Sequence, residues 1–370
     1  MSRTEQNISP STTTSPYTVV EKENVSPSEW NQLVESSPGG GNLLQSHEWG
    51  ELKHSLGWKP VRVTLEKDAE LAGIGQFLFY STPGVPGGIL YCPKGPWLPW
   101  DNDEAVRAFF DGMVEVAGCH NAHTVKIEPE VREEQEGIKA HLQALGFQKF
   151  RWNVNHKATL TIDLSQSEED LLANMKKGTR YGVRRAGKEG VEVVEDNSRA
   201  GLDLFWSMHG EMVERKDFWS RPYNYYEALW QELEKSGKAH LFFAEHEGDR
   251  PAAAMVFTFG RKCIYMLGVS TREKSKITPA NLLQWEIMKW AKENGITHYD
   301  MWGVPASEER DDENHPLYGV YKFKAGFGGE PVDFVGTLNL PVNSTRARLW
   351  DKIEPWYFRF HQRIKGDVYY

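Results

Sequence analysis

The chain has 370 residues, a length that suggests two domains, and 39% of them are hydrophobic, enough for sizeable cores. Its net charge of -9 excludes non-specific polyanion binding by the molecule as a whole, so any nucleic-acid contact requires a local basic patch. The three cysteines, Cys92, Cys119 and Cys263, form no CxxC and no Cys/His cluster at zinc spacing, which argues against a metal site and for a reducing compartment.

Residues 1–16 are rich in Ser, Thr and Pro and predict a disordered tail with no apolar core for secretion. No run of about 18 apolar residues occurs, so the expectation is a cytoplasmic protein that spans no membrane. Residues 61–80 read as a hairpin of two strands around a short turn. A third strand follows at 87–96, an amphipathic helix at 104–118, a strand at 123–129 and a helix end at 142–147.

The same order returns later. The hairpin recurs at 241–259, with Val63 aligning with Phe243 and Phe79 with Phe259. A third strand lies at 262–270. A helix at 279–295 carries Leu282, Leu283, Ile287 and Trp290 at helical spacing, and a strand follows at 298–304. LQALGF (142–147) aligns with KFKAGF (322–327). The order of elements is kept at a nearly constant offset, which predicts an internal duplication of one mixed α/β unit. That order resembles the GNAT-type N-acyltransferase fold. The expected architecture is α+β, with two tandem GNAT-like domains and a cleft between them. The first comprises 17–160 with 336–370, the second 161–335.

Val320–Phe334, VYKFKAGFGGEPVDF, first suggests a phosphate loop. It lacks the GxxxxGK[ST] spacing. By analogy with Gly146 it reads instead as a helix over 316–325, with Pro316 in its first turn and Gly326 as its stop. Leu317, Val320, Tyr321 and Lys324 then share one face, while Lys322 points to solvent. The first unit has Ala144 where the second has Lys324. A lysine there serves the helix dipole, or places a fixed positive charge near a developing oxyanion.

Residues 165–190 read as a helix capped by Ser165 or Ser167, with acidic residues in its first turn. Its later part holds Lys176, Lys177, Arg180, Arg184, Arg185 and Lys188 with no acidic residue between them. Solvated helical faces usually mix signs, since opposite charges at (i, i+4) stabilise them. The unmixed stripe reads as a solubility patch or as a phosphate-backbone site, with Tyr181 and Trp219 able to stack on bases.

These blocks resemble those of the FemABX-type aminoacyltransferases, tRNA-dependent enzymes that build peptidoglycan cross-bridges. LLANMKKGTRYGVRRAGKEG resembles the family's signature helix. QSHEWGELK (45–53), RKDFWSRPYNYY (215–226) and VYKFKAGFGG are similar to three further family blocks, in the right order. The resemblance implies transfer of an amino acid from aminoacyl-tRNA to an amine of a peptidoglycan precursor, either UDP-MurNAc-pentapeptide or lipid II. It implies that Lys53, Arg221, Tyr225 and Tyr265 hold the acceptor, that Phe323 and Lys324 lie at the tRNA end, and that the basic helix meets the tRNA. An aminoacyl ester is already activated, so the chemistry calls for positioning and oxyanion stabilisation and for no cofactor. The short segment 229–241 leaves no room for the coiled-coil arm of some family members. The expected Asp after Gly95-Pro96 is displaced to Asp101 or Asp103.

Two rival readings remain at this level. A CoA-dependent N-acyltransferase of the same fold would need a Gly-rich turn at a helix N-terminus, and 269–283 has none. A non-catalytic RNA-binding protein would use the basic helix alone. The last segment, 344–366, is a helix pattern interrupted by Pro355. Its aromatic and basic residues suit either packing on the first domain or contact with the inner membrane surface.

Overall fold

In the computed structural model, residues 15–216, 220–272 and 274–370 are described. The expected tail, apart from its last two residues, and Trp219 lie outside them. The chain begins with β1 (Tyr17–Glu21), α1 (Pro27–Glu35), α2 (His47–Ser55), β2 (Lys59–Lys67), β3 (Glu70–Ser81) and β4 (Gly88–Cys92). α3 (Asp103–Cys119), β5 (Ala122–Ile127), α4 (Glu136–Ala144) and β6 (Gln148–Lys149) follow. Ser26 starts α1 with a reciprocal capping box to Glu29, and Ser46 caps α2.

The second sheet opens with β7 (Ala158–Asp163), which straddles residue 160. Next come α5 (Glu168–Asn174), α6 (Lys177–Lys188), β8 (Glu192–Glu195), α7 (Arg199–Lys216) and α8 (Tyr223–Glu234). Then come β9 (Ala239–His246), β10 (Asp249–Phe259), β11 (Lys262–Ser270), α9 (Pro279–Glu293), β12 (His298–Asp300), α10 (Tyr318–Lys324) and β13 (Glu330–Asp333). β14 (Leu338–Pro341) and α11 (Ser344–Lys365) close the chain. Residues 229–241 hold the end of α8 and the start of β9, and no coiled-coil arm occurs among the described residues.

The sheet orders are β1-β2-β3-β4-β5-β14-β6 and β8-β9-β10-β11-β12-β7-β13, so the two sheets share one topology, position for position. In each, an antiparallel hairpin leads into a parallel pair, β4 with β5 and β11 with β12. The pair is parallel because a helix, α3 or α9, carries the chain back across the sheet. The duplication extends one step beyond the sequence reading. The sixth place is filled by β14 in one sheet and β7 in the other, strands that lie just after and at the start of the second domain.

β10 is buried along most of its length, and Leu282, Leu283 and Ile287 of α9 pack against the second sheet. Burying each such side chain contributes about 1.5–3 kcal/mol. One apolar cluster crosses between the halves, joining Trp30, Leu44 and Trp49 to Leu229, Trp230, Phe243 and Met255. The buried carboxylate of Glu128 ties both chain crossings. It accepts from Val154 N and Asn155 N at 3.0 Å and from Thr337 Oγ1 at 2.5 Å.

Candidate active site

α10 is shorter than the sequence suggests. It spans Tyr318–Lys324, with Pro316 before it rather than in its first turn, and a 3-10 turn continues through Ala325–Phe327. The left-handed stop is Gly328, at φ 85, and not Gly326. Gly326 serves close approach instead, because a Cβ there would overlap Thr179 Oγ1 at the start of α6. Lys322 is exposed and donates to Tyr318 Oη at 3.2 Å.

Lys324 is buried. Its Nζ donates to the carbonyl oxygen of Gly303 at 2.9 Å and contacts that of Trp302 at 3.4 Å. The loop that offers these carbonyls is fixed by Asp300, which accepts from Trp302 N at 2.7 Å and from Thr159 Oγ1. Trp302 has φ 59, a left-handed position that is costly for a bulky residue. Desolvation lowers the Lys324 pKa to about 8, against the opposing charge of Asp300. Its Nζ also lies 5.7 Å from the ring centroid of Tyr265. Phe323 packs edge-on to Phe327, centroids 5.2 Å apart.

His156 completes this neighbourhood, and no sequence signal singled it out. Its ring is edge-on to Trp302, and a Cβ on Gly303 would overlap it. The imidazole is walled in by protein yet open to solvent on one side. Desolvation, then the charges of Lys324 and Lys94, pull its pKa down to about 4, so it is neutral at pH 7. Lys94 comes from the first half and donates to the His156 carbonyl at 3.1 Å. Both halves therefore contribute to the surroundings of Lys324.

A second cluster forms where α2 meets the start of α8. Lys53 Nζ lies 5.4 Å from the centroids of Trp49 and Tyr225, and the Arg221 guanidinium lies 4.2 Å from that of Tyr225. Lys53 is buried and has no ion-pair partner among the described residues. Desolvation and the neighbouring Arg221 hold its pKa well below the ordinary lysine value. Arg221 is already occupied. It donates to Asp367 Oδ1 at 2.9 Å and to the main-chain oxygen of Tyr370 at 2.6 Å. The segment 367–370 folds back as a strap, with Tyr369 and Tyr370 buried and their hydroxyls donating to Glu354. Lys53 and Arg221 thus converge on the Tyr225 ring, with Asp367 the carboxylate paired to Arg221.

The basic stretch is two helices rather than one. Ser167 caps α5 through Asp170 N at 3.1 Å, and Met175 and Lys176 are extended before α6 begins. The break is built by tertiary contacts: Lys176 N donates to Gly326 O at 2.8 Å. Arg180 is spent on capping α5, donating to the carbonyls of Leu172 and Ala173 at 3.0 and 2.9 Å. Arg185 pairs with Glu189 at 3.6 Å. Lys176, Lys177, Arg184 and Lys188 are exposed and, among the described residues, form no ion pair, with Tyr181 exposed between them. The other face, Gly182, Val183 and Ala186, packs on α9.

The FemAB family model matches residues 25–248, more than half of the chain. The chain belongs to the FemAB family. An acetyltransferase (GNAT) domain model matches residues 173–324 of this FemAB-family chain. A Staphylococcus aureus (strain MRSA252) protein named lipid II:glycine glycyltransferase is 26% identical, covering 91% of this chain and 96% of its own. The crystal structure of FemX matches with a TM-score of 0.80 at 24% identity, over 89% of this chain and 99% of that one. A tandem GNAT protein from the clavulanic acid biosynthesis pathway matches with a TM-score of 0.51 at 13% identity, over 88% and 99%. The fold is therefore two tandem GNAT-like domains.

Of the residues singled out from the sequence, Lys53, Arg221 and Tyr225 come together. Tyr265 lies instead with Lys324. The CoA reading meets an obstacle at α9. Its N-terminus begins with Pro279, which has no N–H, and Thr278 Oγ1 is held by Gly182 O of α6 at 3.0 Å. α6 therefore covers the helix end at which a pyrophosphate would bind.

Proposed function

We propose that this protein transfers an amino acid from aminoacyl-tRNA to an amine of a peptidoglycan precursor, with the work done at the inner face of the plasma membrane or in the cytoplasm beside it. The observation that carries the reading is the buried Lys324 ammonium, held at a fixed place by backbone carbonyls. The acceptor amine attacks the ester carbonyl of the aminoacyl group, and a tetrahedral oxyanion forms. As the C–O bond breaks, the tRNA ribose hydroxyl leaves with the proton that the amine gives up. Lys324 supplies the fixed positive charge that this oxyanion needs, in a desolvated setting where it counts most. Phe323 and Tyr265 shape the surroundings, and neutral His156 stands where a departing proton can be received.

The slot of Lys53, Arg221 and Tyr225 takes the acceptor's diphosphate. Arg221 offers a planar fork and Lys53 a point charge. A diphosphate brings more negative charge than Asp367 and so displaces it from Arg221. Lys176, Lys177, Arg184 and Lys188 meet the tRNA backbone by counterion release, with Arg180 and Arg185 as supports of that surface. The named activity of the S. aureus relative, on lipid II, supports a lipid-linked precursor as acceptor. In this reading the protein is an armless family member that needs no cofactor. The test is transfer of labelled amino acid from charged tRNA to either precursor, abolished by ribonuclease.

A further inference from the structure

The two faces of α11 differ in kind. Inward, Trp350 and Glu354 are buried, and Tyr357 and Phe358 pack against the first core. Outward, Leu349, Trp356, Phe360 and Ile364 are exposed, and their spacing sets them in one stripe. Trp356 is 72% exposed, Ile364 69% and Phe360 61%; only Tyr181 ranks with them among the large hydrophobics of the described residues. Single exposed apolar residues are ordinary, but Trp356, Phe360 and Ile364 on successive turns, with Leu349 two turns before them, make a row about 22 Å long that is not. Arg348, Lys352, Arg359 and Arg363 line one edge of the row and Lys365 stands at the end of the helix, all exposed. None of these five is in an ion pair among the described residues, and Arg359 lies over the Trp356 ring at 4.9 Å. The one exposed acid of the helix, Asp351, is engaged by Arg151 at 2.8 Å.

We propose that this face of α11 lies on an anionic phospholipid bilayer, with Leu349, Trp356, Phe360 and Ile364 at the acyl–headgroup boundary and the five cations at lipid phosphates. Charge complementarity selects this occupant. The chain carries a net charge of -9, so an anionic surface repels it in general and attracts it here. A second copy of the same face would set like charges against each other. The helix lies in the surface and does not cross it, since no helix among the described residues is long and apolar enough to do so. Three residues past Ile364, Asp367 sits on Arg221, so docking brings the anion slot close to headgroup level. That last consequence rests on the acceptor reading above. The bilayer contact itself does not.

The test is co-sedimentation of the full chain with vesicles, free of acceptor and tRNA. One set contains phosphatidylglycerol and phosphatidylcholine, the other phosphatidylcholine alone. Wild type is expected to bind the first set, to ignore the second, and to release with rising salt. Combining Trp356→Ser, Phe360→Ser and Ile364→Ser should cut the bound fraction at least tenfold with Tm unchanged. Arg359→Glu with Arg363→Glu should do the same. Transfer to a soluble nucleotide-linked acceptor should survive in the serine variant, so loss of vesicle binding and loss of the transferase are read separately. The proposal is overturned if wild type ignores anionic vesicles, or if the serine variant binds them as wild type does. It is also overturned if wild type is a dimer that those serines convert to a monomer, which would assign the face to a second copy.

Discussion

Lys324 carries a charge whose burial the fold opposes. In an unfolded chain a lysine titrates at about 10.4; in the fold Lys324 titrates at about 8. The folded state therefore binds fewer protons between those values, and its stability rises with pH across that window. Below pH 8 the protein holds an ammonium that burial disfavours. Lys324→Met should therefore leave Tm equal or higher by thermal unfolding, while lowering the transfer rate by about 10²–10³. The wild-type rate should fall as pH rises through about 8, where the charge is lost. A Lys324→Met enzyme with full activity would remove this residue from the mechanism. Helical spacing had already placed Lys324 on the apolar face with Leu317, Val320 and Tyr321, so this much was legible in the sequence. The helix stop was not. Gly326 and Gly328 are alike as letters; Thr179 crowds the first and Asn174 the second, and neither neighbour is adjacent in sequence. His156 was illegible for a similar reason: a lone histidine in a loop gains meaning only from Gly303 and Lys324 beside it.

At the scale of elements, α5 and α6 divide the basic stretch by role. Lys177 and Arg184 are free to meet a polyanion, whereas Arg180 holds the end of α5. Lys177→Glu with Arg184→Glu should weaken tRNA binding and flatten its salt dependence, by about 0.9 in log–log slope per lost contact. Arg180→Ala should instead lower stability by about 1 kcal/mol, the usual net worth of such hydrogen bonds. A salt titration of binding and a urea melt separate the two. The even run of cations in the sequence hid this division, because it depends on the break at Met175 and Lys176. The strap 367–370 is the other element with a consequence. Asp367→Asn removes the carboxylate from Arg221 and should lower the acceptor KM by about tenfold, ~1.4 kcal/mol, with kcat unchanged. A raised KM would mean that the strap builds the slot rather than fills it. Nothing in the sequence marked Asp367, since its partner lies far off in the chain.

For the whole molecule, the repeated hairpin, helix and strand were readable because each leaves a periodic apolar pattern. β7 and β14 are short, and the strands in their matching places flank the second domain at its start and after its end, so no local pattern reveals the correspondence. The shared cluster around Trp30, Trp49, Trp230 and Met255 welds the halves and brings α2 to α8. That union is what assembles Lys53 with Arg221, two residues 168 positions apart in the chain. Lys94 also reaches across, its Nζ 6.0 Å from the ring centroid of Trp302, whose loop carbonyls hold Lys324. One transfer reaction thus requires both halves. That reaction is tested most directly by incubating the protein with a set of charged, labelled tRNAs and either UDP-MurNAc-pentapeptide or lipid II, with and without ribonuclease. Label is expected on the precursor from at least one aminoacyl-tRNA, and should be lost on ribonuclease treatment. Label transfer that is indifferent to ribonuclease, or acyl-CoA turnover in the absence of tRNA, would contradict it.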